Sequence, residues 1–250
     1  MNLGPETFVL MALQKMKLKA RKLPESDEKT PDILVETDTE KVLIEVKAKF
    51  DDPQHEKEKE EVLTKGEVFS ESYYMTRQNT ISKVIKEAVK QLNNKKKLAD
   101  FFVVWLVAVE QRREIKIEQF ESSLYGSVDT FDMEGDGNIL IPCFYFENSE
   151  FYNHRNILDA SIISDYRQGK LCVNDYSARY SKLKESAFYK AFGKAVLDPI
   201  EYERQGKGYR ADTSIDRNNS NEVLSYIQNK YRKPRLLKLN MGYHSGSILV

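Results

Sequence analysis

The sequence predicts an α/β protein built on a mixed central sheet, with helix–three strands–helix–strand in its first half and an α+β second half. Three stretches carry that prediction. Pro31–Lys49 (PDILVETDTEKVLIEVKAK) alternates apolar and polar residues on either side of a polar turn, as an antiparallel hairpin does. Ile81, Val84, Ile85, Ala88 and Leu92 recur at helical spacing. Phe101–Val109 (FFVVWLVAV) is continuously apolar, the pattern of a strand covered on both faces.

Each element has its own signal. Pro5-Glu6 opens a helix, because proline suits the first turn and an acid there complements the dipole. Val9, Leu10, Leu13 and Met16 form its apolar stripe, and Glu6 lies on the same side. Lys15, Lys17, Lys19, Arg21 and Lys22 follow as a basic cluster, read either as a solvated face or as phosphate contacts. Residues 20–28 read as a strand that Pro24 confines to a sheet edge. The hairpin comes next, with its turn at Thr37–Glu40. Asp51–Glu71, containing HEKEKEE at 55–61, reads as a mobile loop or an exposed helical turn, placed to act as a flap. The helix over 81–92 ends at Asn93-Asn94 and a lysine run, and Gln91 sits at the border of its stripe.

The second half is less legible. Arg112–Asp132 is polar and mixed, and 134–138 (EGDGN) is a loop. Ile139–Phe146 reads as a strand with Pro142 at an edge or bulge, 151–163 as helix, and Lys170–Val173 as a short strand. Tyr180–Val196 reads as one amphipathic helix stopped by Asp198-Pro199. Residues 204–220 form a loop or lid, Asn221–Lys230 a helix, and Leu236–Leu239 a last strand. The chain thus divides into 1–110, a core, and 111–250, an extension packed on it for substrate selection or oligomerisation.

Composition narrows the class. Lys plus Arg and Asp plus Glu are both 39, so no global field draws nucleic acid and such binding must come from local patches. Fourteen tyrosines and twelve phenylalanines argue against disorder across the chain. Cys143 and Cys172 stand in apolar runs and read as buried free thiols, and the three histidines are too scattered for a zinc site. The apolar stretch near the N-terminus is followed, not preceded, by basic residues, so it is not a signal peptide. No run is long enough to span a membrane; the expected location is cytoplasmic.

Chemistry concentrates in the hairpin. Centring the turn on Asp38-Thr39 sets Glu36 opposite Lys41 and Asp32 opposite Glu45. Asp32, Leu34 and Glu36 then share a face with Leu43, Glu45 and Lys47. Two carboxylates directly across a sheet repel. A hard divalent cation between them removes the repulsion, since Mg2+ takes oxygen ligands, and Lys47 lies close enough to touch what that cation binds.

These residues also carry a family resemblance. Pro31-Asp32, twelve intervening residues and Glu45-Val46-Lys47 resemble the signature of the PD-(D/E)xK (restriction-endonuclease-like) nuclease superfamily, and the order αβββαβ over Pro5–Val109 is similar to its common core. The resemblance implies metal-dependent hydrolysis of phosphodiester bonds in DNA, less often in RNA. Asp32 and Glu45 would hold Mg2+ or Mn2+, with the Val46 main-chain carbonyl as a further ligand, and Lys47 would act on the attacking water. Glu6 corresponds to an extra acid that some members place on an N-terminal helix, though a solvent-facing first-turn acid reads equally well. Gln91 corresponds to a polar helper. Lys15, Lys19, Lys22, Lys49, Arg232 and Lys233 are the basic residues placed to meet nucleic acid, and a homodimer or a partner subunit is the expected assembly. The competing readings are a catalytically silent nucleic-acid-binding or assembly module of the same fold, and a non-nuclease adaptor.

Overall fold

A computed structural model describes residues 4–24, 31–135, 140–239 and 243–248. Helix α1 (Pro5–Lys15) leads into strands β1 (Lys19–Lys22), β2 (Ile33–Glu36) and β3 (Lys41–Lys49). Helix α2 (Pro53–Thr64) and strand β4 (Phe69–Tyr74) precede the long helix α3 (Asn79–Asn94) and strand β5 (Phe101–Ala108). Beyond β5 come α4 (Arg113–Tyr125), β6 (Val128–Asp132), β7 (Leu140–Phe144), the one-turn α5 (Glu150–Asn153), β8 (Ala160–Ser164) and β9 (Gly169–Val173). The chain continues through α6 (Tyr180–Glu185), α7 (Ala187–Lys190), β10 (Val196–Leu197), α8 (Pro199–Arg204) and β11 (Tyr209–Arg210). It ends with α9 (Ser220–Tyr231), β12 (Leu236–Lys238) and β13 (Tyr243–Ile248).

Among the described residues, a seven-stranded mixed sheet runs β1-β2-β3-β5-β8-β9-β10. The hairpin pairs β2 and β3 antiparallel with Glu36 against Lys41 and Ile33 against Ile44, the register that a turn centred on Asp38-Thr39 requires. Thr37 closes that turn, its amide donating to the Glu40 carbonyl at 2.9 Å. Strand β3 then runs parallel to β5, and β5 parallel to β8. All eight residues of β5 are buried. Phe101, Val103, Trp105 and Val107 pack with Val9 and Leu13 of α1, while Phe102, Val104, Leu106 and Ala108 pack with Ile81, Ile85 and Leu92 of α3. The sheet is therefore a middle layer between two apolar clusters, and its strands come from both sides of residue 110.

A second, four-stranded sheet runs β11-β7-β6-β12, and β4 pairs with β13 in a two-stranded ribbon. Tyr125 ties layers together: its buried hydroxyl is shared between the carbonyls of Val173 (3.0 Å) and Leu197 (3.1 Å). Both cysteines are buried free thiols, and no helix among the described residues is long and apolar enough to cross a membrane.

Several elements differ from the sequence expectation. Residues 51–71 hold a helix without buried residues, the second of the two forms expected there, followed by a strand that was not expected: Asp52 caps α2 by accepting from the Gln54 amide at 3.0 Å, and Pro53 takes the first helical position. The polar stretch at 112–132 holds α4 and β6. The buried side of α4 includes Lys116, Gln119 and Ser123, so hydrophobic periodicity does not mark it. Only 150–153 is helical within 151–163; Ala160–Ser164 is a fully buried strand beside β5, and a short apolar run has no period by which helix and strand can be told apart. The expected helix at 180–196 breaks at Ser186, whose hydroxyl caps α7 by accepting from the Tyr189 amide at 3.0 Å. Asp198-Pro199 begins α8 instead of ending a helix, Asp198 accepting from the Ile200 amide at 3.0 Å. Strand β1 occupies the expected sheet edge; residues 25–28 of that prediction, and 136–138 of the predicted loop, lie outside the described residues.

Gly126 ends α4 in the left-handed region (φ 59°), its amide donating to Ser122 O at 2.8 Å. A Cβ there would overlap the main-chain carbonyl of Glu147. Gly126→Ala is therefore expected to lower unfolding free energy by about 3 kcal/mol, combining the left-handed penalty with backbone displacement. Urea denaturation checks this; a loss below about 1 kcal/mol would show that the 126–147 contact yields freely.

Candidate functional site

The site begins with β3. Its neighbour β5 buries it from one edge and the hairpin partner β2 from the other, so every side chain from Val42 to Val46 is buried, including the acid Glu45. Glu45 is 1% exposed and faces the α3 side, where Leu34 and Leu43 are core residues. Asp32 stands immediately before β2, and its Oδ2 accepts from the Val46 amide at 2.7 Å. That bond fixes one carboxylate next to the other. Lys47, two residues along the same face, places its ammonium 2.5 Å from Glu45 Oε1 and donates to Gln91 Oε1 of α3 at 2.9 Å. Both Glu45 oxygens are buried, and the Lys47 ammonium is the charge that faces them.

The electrostatics follow from burial. Desolvation pushes the Glu45 carboxyl up to about 7; Lys47 opposes the shift and the Asp32 charge adds to it. Desolvation also raises Asp32, helped by the charge of Glu6 and opposed by the Val46 amide and Lys47. The two carboxyls titrate as a coupled pair. Glu6 is partly exposed in the first turn of α1 and is ion-paired with Lys22 at 2.8 Å. Its nearness to Asp32 registers through that charge effect.

The basic residues separate by location. Lys49 lies on the same strand face as Glu45 and Lys47, half-buried, with Thr80 Oγ1 3.5 Å from its ammonium. Desolvation lowers its pKa, and the neighbouring Lys116 lowers it further. Lys15 is exposed at the end of α1, beside a cleft lined by Phe8, Trp105 and Tyr166 on the opposite side of the sheet. Lys19 is exposed on β1. Arg232 ends α9 in the left-handed region, and Lys233 pairs with Asp132 at 2.9 Å, both beside the second sheet. The structure thus brings Asp32, Glu45, Lys47, Gln91 and Lys49 together.

Sequence reasoning did not foresee the cluster behind the end of β3. Arg112 meets Asp51 (3.2 Å), Glu56 (2.6 Å) and Glu71 (2.9 Å), and Lys116 meets Asp51 at 2.8 Å. Burial works against Glu71, yet Arg112, His55 and Tyr73 pull it down to about 2. These pairs dock α2 and β4 onto the start of α4. Partners 41 to 65 positions apart leave no local signal.

Could the residues hold a metal? Asp32 and Glu45 are neighbouring carboxylates with one ammonium, Lys47, beside them, and a divalent cation would offset the second negative charge. Among the described residues no group of three or more His, Cys, Asp or Glu is arranged to hold one, so the chain offers two carboxylates and main-chain oxygen. That set suits Mg2+, which is commonly bound by one or two carboxylates with water and substrate phosphate supplying the rest.

Metal-free stability should depend on pH with a known sign. The folded Glu45 pKa is above its ordinary 4.5, so its contribution is complete below about pH 4.5 and is lost as pH rises through about 7. In EDTA, wild type should lose about 3 kcal/mol relative to Glu45→Gln across that window. Paired denaturation curves at pH 4.5, 6 and 8 read the difference. A constant gap would show that Glu45 is ionised throughout.

Comparison of the chain with protein-family models, curated proteins and solved structures finds no match.

Proposed function

We propose that this chain is a metal-dependent nuclease that hydrolyses phosphodiester bonds in DNA. The observation that carries the reading is Glu45, an acid buried in the sheet next to a second carboxylate, Asp32, with the single ammonium of Lys47 against it. Two adjacent carboxylates against one ammonium leave a negative charge that a divalent cation would offset, and a buried charge left uncompensated costs about 3–5 kcal/mol. The PD-(D/E)xK resemblance supports the same assignment.

In this reading Asp32 and Glu45 hold Mg2+ or Mn2+, together with the Val46 carbonyl. The bound ion would lower the pKa of water and offset charge on the phosphate. The chain's own residues do the rest. The Val46 amide holds Asp32 in place through Oδ2 and leaves Oδ1 without that restraint. Gln91 orients the Lys47 ammonium by accepting one of its protons, leaving others to donate to water or to a phosphate oxygen. Lys47 also neutralises the site when no cation is bound, which lets the fold tolerate the acid pair. A homodimer or a partner subunit would extend the contact surface for substrate. A catalytically silent binding module of the same fold is favoured by one fact, the zero net charge.

Thermal denaturation in EDTA, Mg2+ and Mn2+, followed by incubation with linear, circular and single-stranded DNA, tests the reading. Metal should raise the Tm of wild type by about 5 °C at saturating concentration, and Asp32→Ala should abolish the rise. Cleavage should fall at least ~100-fold in Asp32→Ala, Glu45→Ala and Lys47→Ala. A metal shift without cleavage selects the silent module, and no shift removes the metal site.

Gln91→Leu separates positioning from catalysis. It should slow cleavage about tenfold while leaving the metal-dependent Tm rise intact. An unchanged rate would mean that Glu45 alone orients Lys47.

A further inference from the structure

Next to the carboxylate pair, β3 and the start of α3 leave a cleft of about 230 Å3. Lys47 belongs to both places: its ammonium touches Glu45, and its side chain lines the cleft. The floor is apolar, made by the buried Ile81 and Leu106 with Val84 and Phe120. The mouth is different. Lys49 and Thr80 stand there, and Phe50 is 52% exposed beside them.

Lys49 is the informative side chain. It is half-buried, its neighbour Lys116 is also a cation, and among the described residues it has no carboxylate partner. The acid nearest to Lys116, Asp51, is already engaged by Lys116 and Arg112. A partly desolvated ammonium flanked by like charge is relieved by an anion. An apolar floor, an exposed aromatic ring and an ammonium in one small cleft match a flat, weakly polar ring joined to a phosphate.

We propose that this cleft seats one unpaired nucleotide of single-stranded DNA, its base on Ile81, Val84 and Leu106 with Phe50 at the mouth, and its phosphate at Lys49 and Thr80. The assignment rests on the nuclease reading for the direction of the strand toward Lys47, and it adds a preference for substrate form. A base inside a duplex reaches such a cleft only after unpairing and unstacking, which costs a few kcal/mol, whereas a single strand offers it freely.

Fluorescence anisotropy with a short fluorescein-labelled oligothymidylate and with a duplex of the same length, both in EDTA, tests the cleft apart from catalysis. The single strand should bind about tenfold more tightly than the duplex. Lys49→Gln and Val84→Phe, one removing the charge and one filling the floor, should each weaken single-strand binding about five- to tenfold, and Val84→Phe should leave duplex binding unchanged. Equal affinity for both forms, or variants that bind as wild type does, would overturn the proposal. So would sedimentation showing self-association that Val84→Phe abolishes without any oligonucleotide binding, since the cleft would then belong to a second copy. Cleavage in Mg2+ is read separately. Single-strand binding weakened in both variants, with no cleavage by wild type, upholds the cleft and removes the nuclease; single-strand binding and cleavage at wild-type level in both variants does the reverse.

Discussion

The parallel pairing of β3 with β5 is the constraint on which the rest depends. It puts a hairpin strand in the interior of a seven-stranded sheet, where both faces are covered and water is excluded. A strand in that position is expected to be apolar throughout, and Val42, Leu43, Ile44 and Val46 meet the expectation. Glu45 does not. Because its neighbours are fixed by the register, the acid cannot leave the layer without breaking the ladder, and its cost must be met locally, by Lys47 first.

Around that strand the molecule uses charge in two ways. Behind the end of β3, Arg112 and Lys116 are surrounded by acids at hydrogen-bonding distance, an arrangement in which each buried charge has partners and which joins α2 and β4 to the core. On the α3 side of β3 the pairing is incomplete. Asp32 and Glu45 share one ammonium, Lys47, and Lys49 has a hydroxyl contact without an acid among the described residues. The pKa pattern agrees: Glu71 in the satisfied cluster is held near 2, and Glu45 in the incomplete one is pushed to about 7.

Much of this was legible in the residues, and the reasons are local. The hairpin register follows from alternation and a short turn, so the placement of Asp32 beside Glu45 and of Lys47 on the same face could be worked out by counting. Helix α3 shows its stripe because a single apolar face packs on the sheet, and Gln91 falls at the edge of that stripe where it can meet Lys47. The second half was read less well. Helix α4 buries Lys116, Gln119 and Ser123, which no hydrophobic pattern marks, and β8 is a short apolar run that borrows its identity from β5 beside it.

The sequence by itself determined the elements whose partners are close along the chain: α1, the hairpin with its two acids and its lysine, α3, and the fully apolar β5. Local sterics and side-chain period decide such elements before any distant contact forms. The tertiary structure alone decided the rest. It inserted α2 and β4 ahead of α3, extended the sheet past β5 with β8, β9 and β10, and placed Thr80 beside Lys49. Those arrangements depend on contacts between residues tens of positions apart, where burial and charge pairing, not local preference, select the partner.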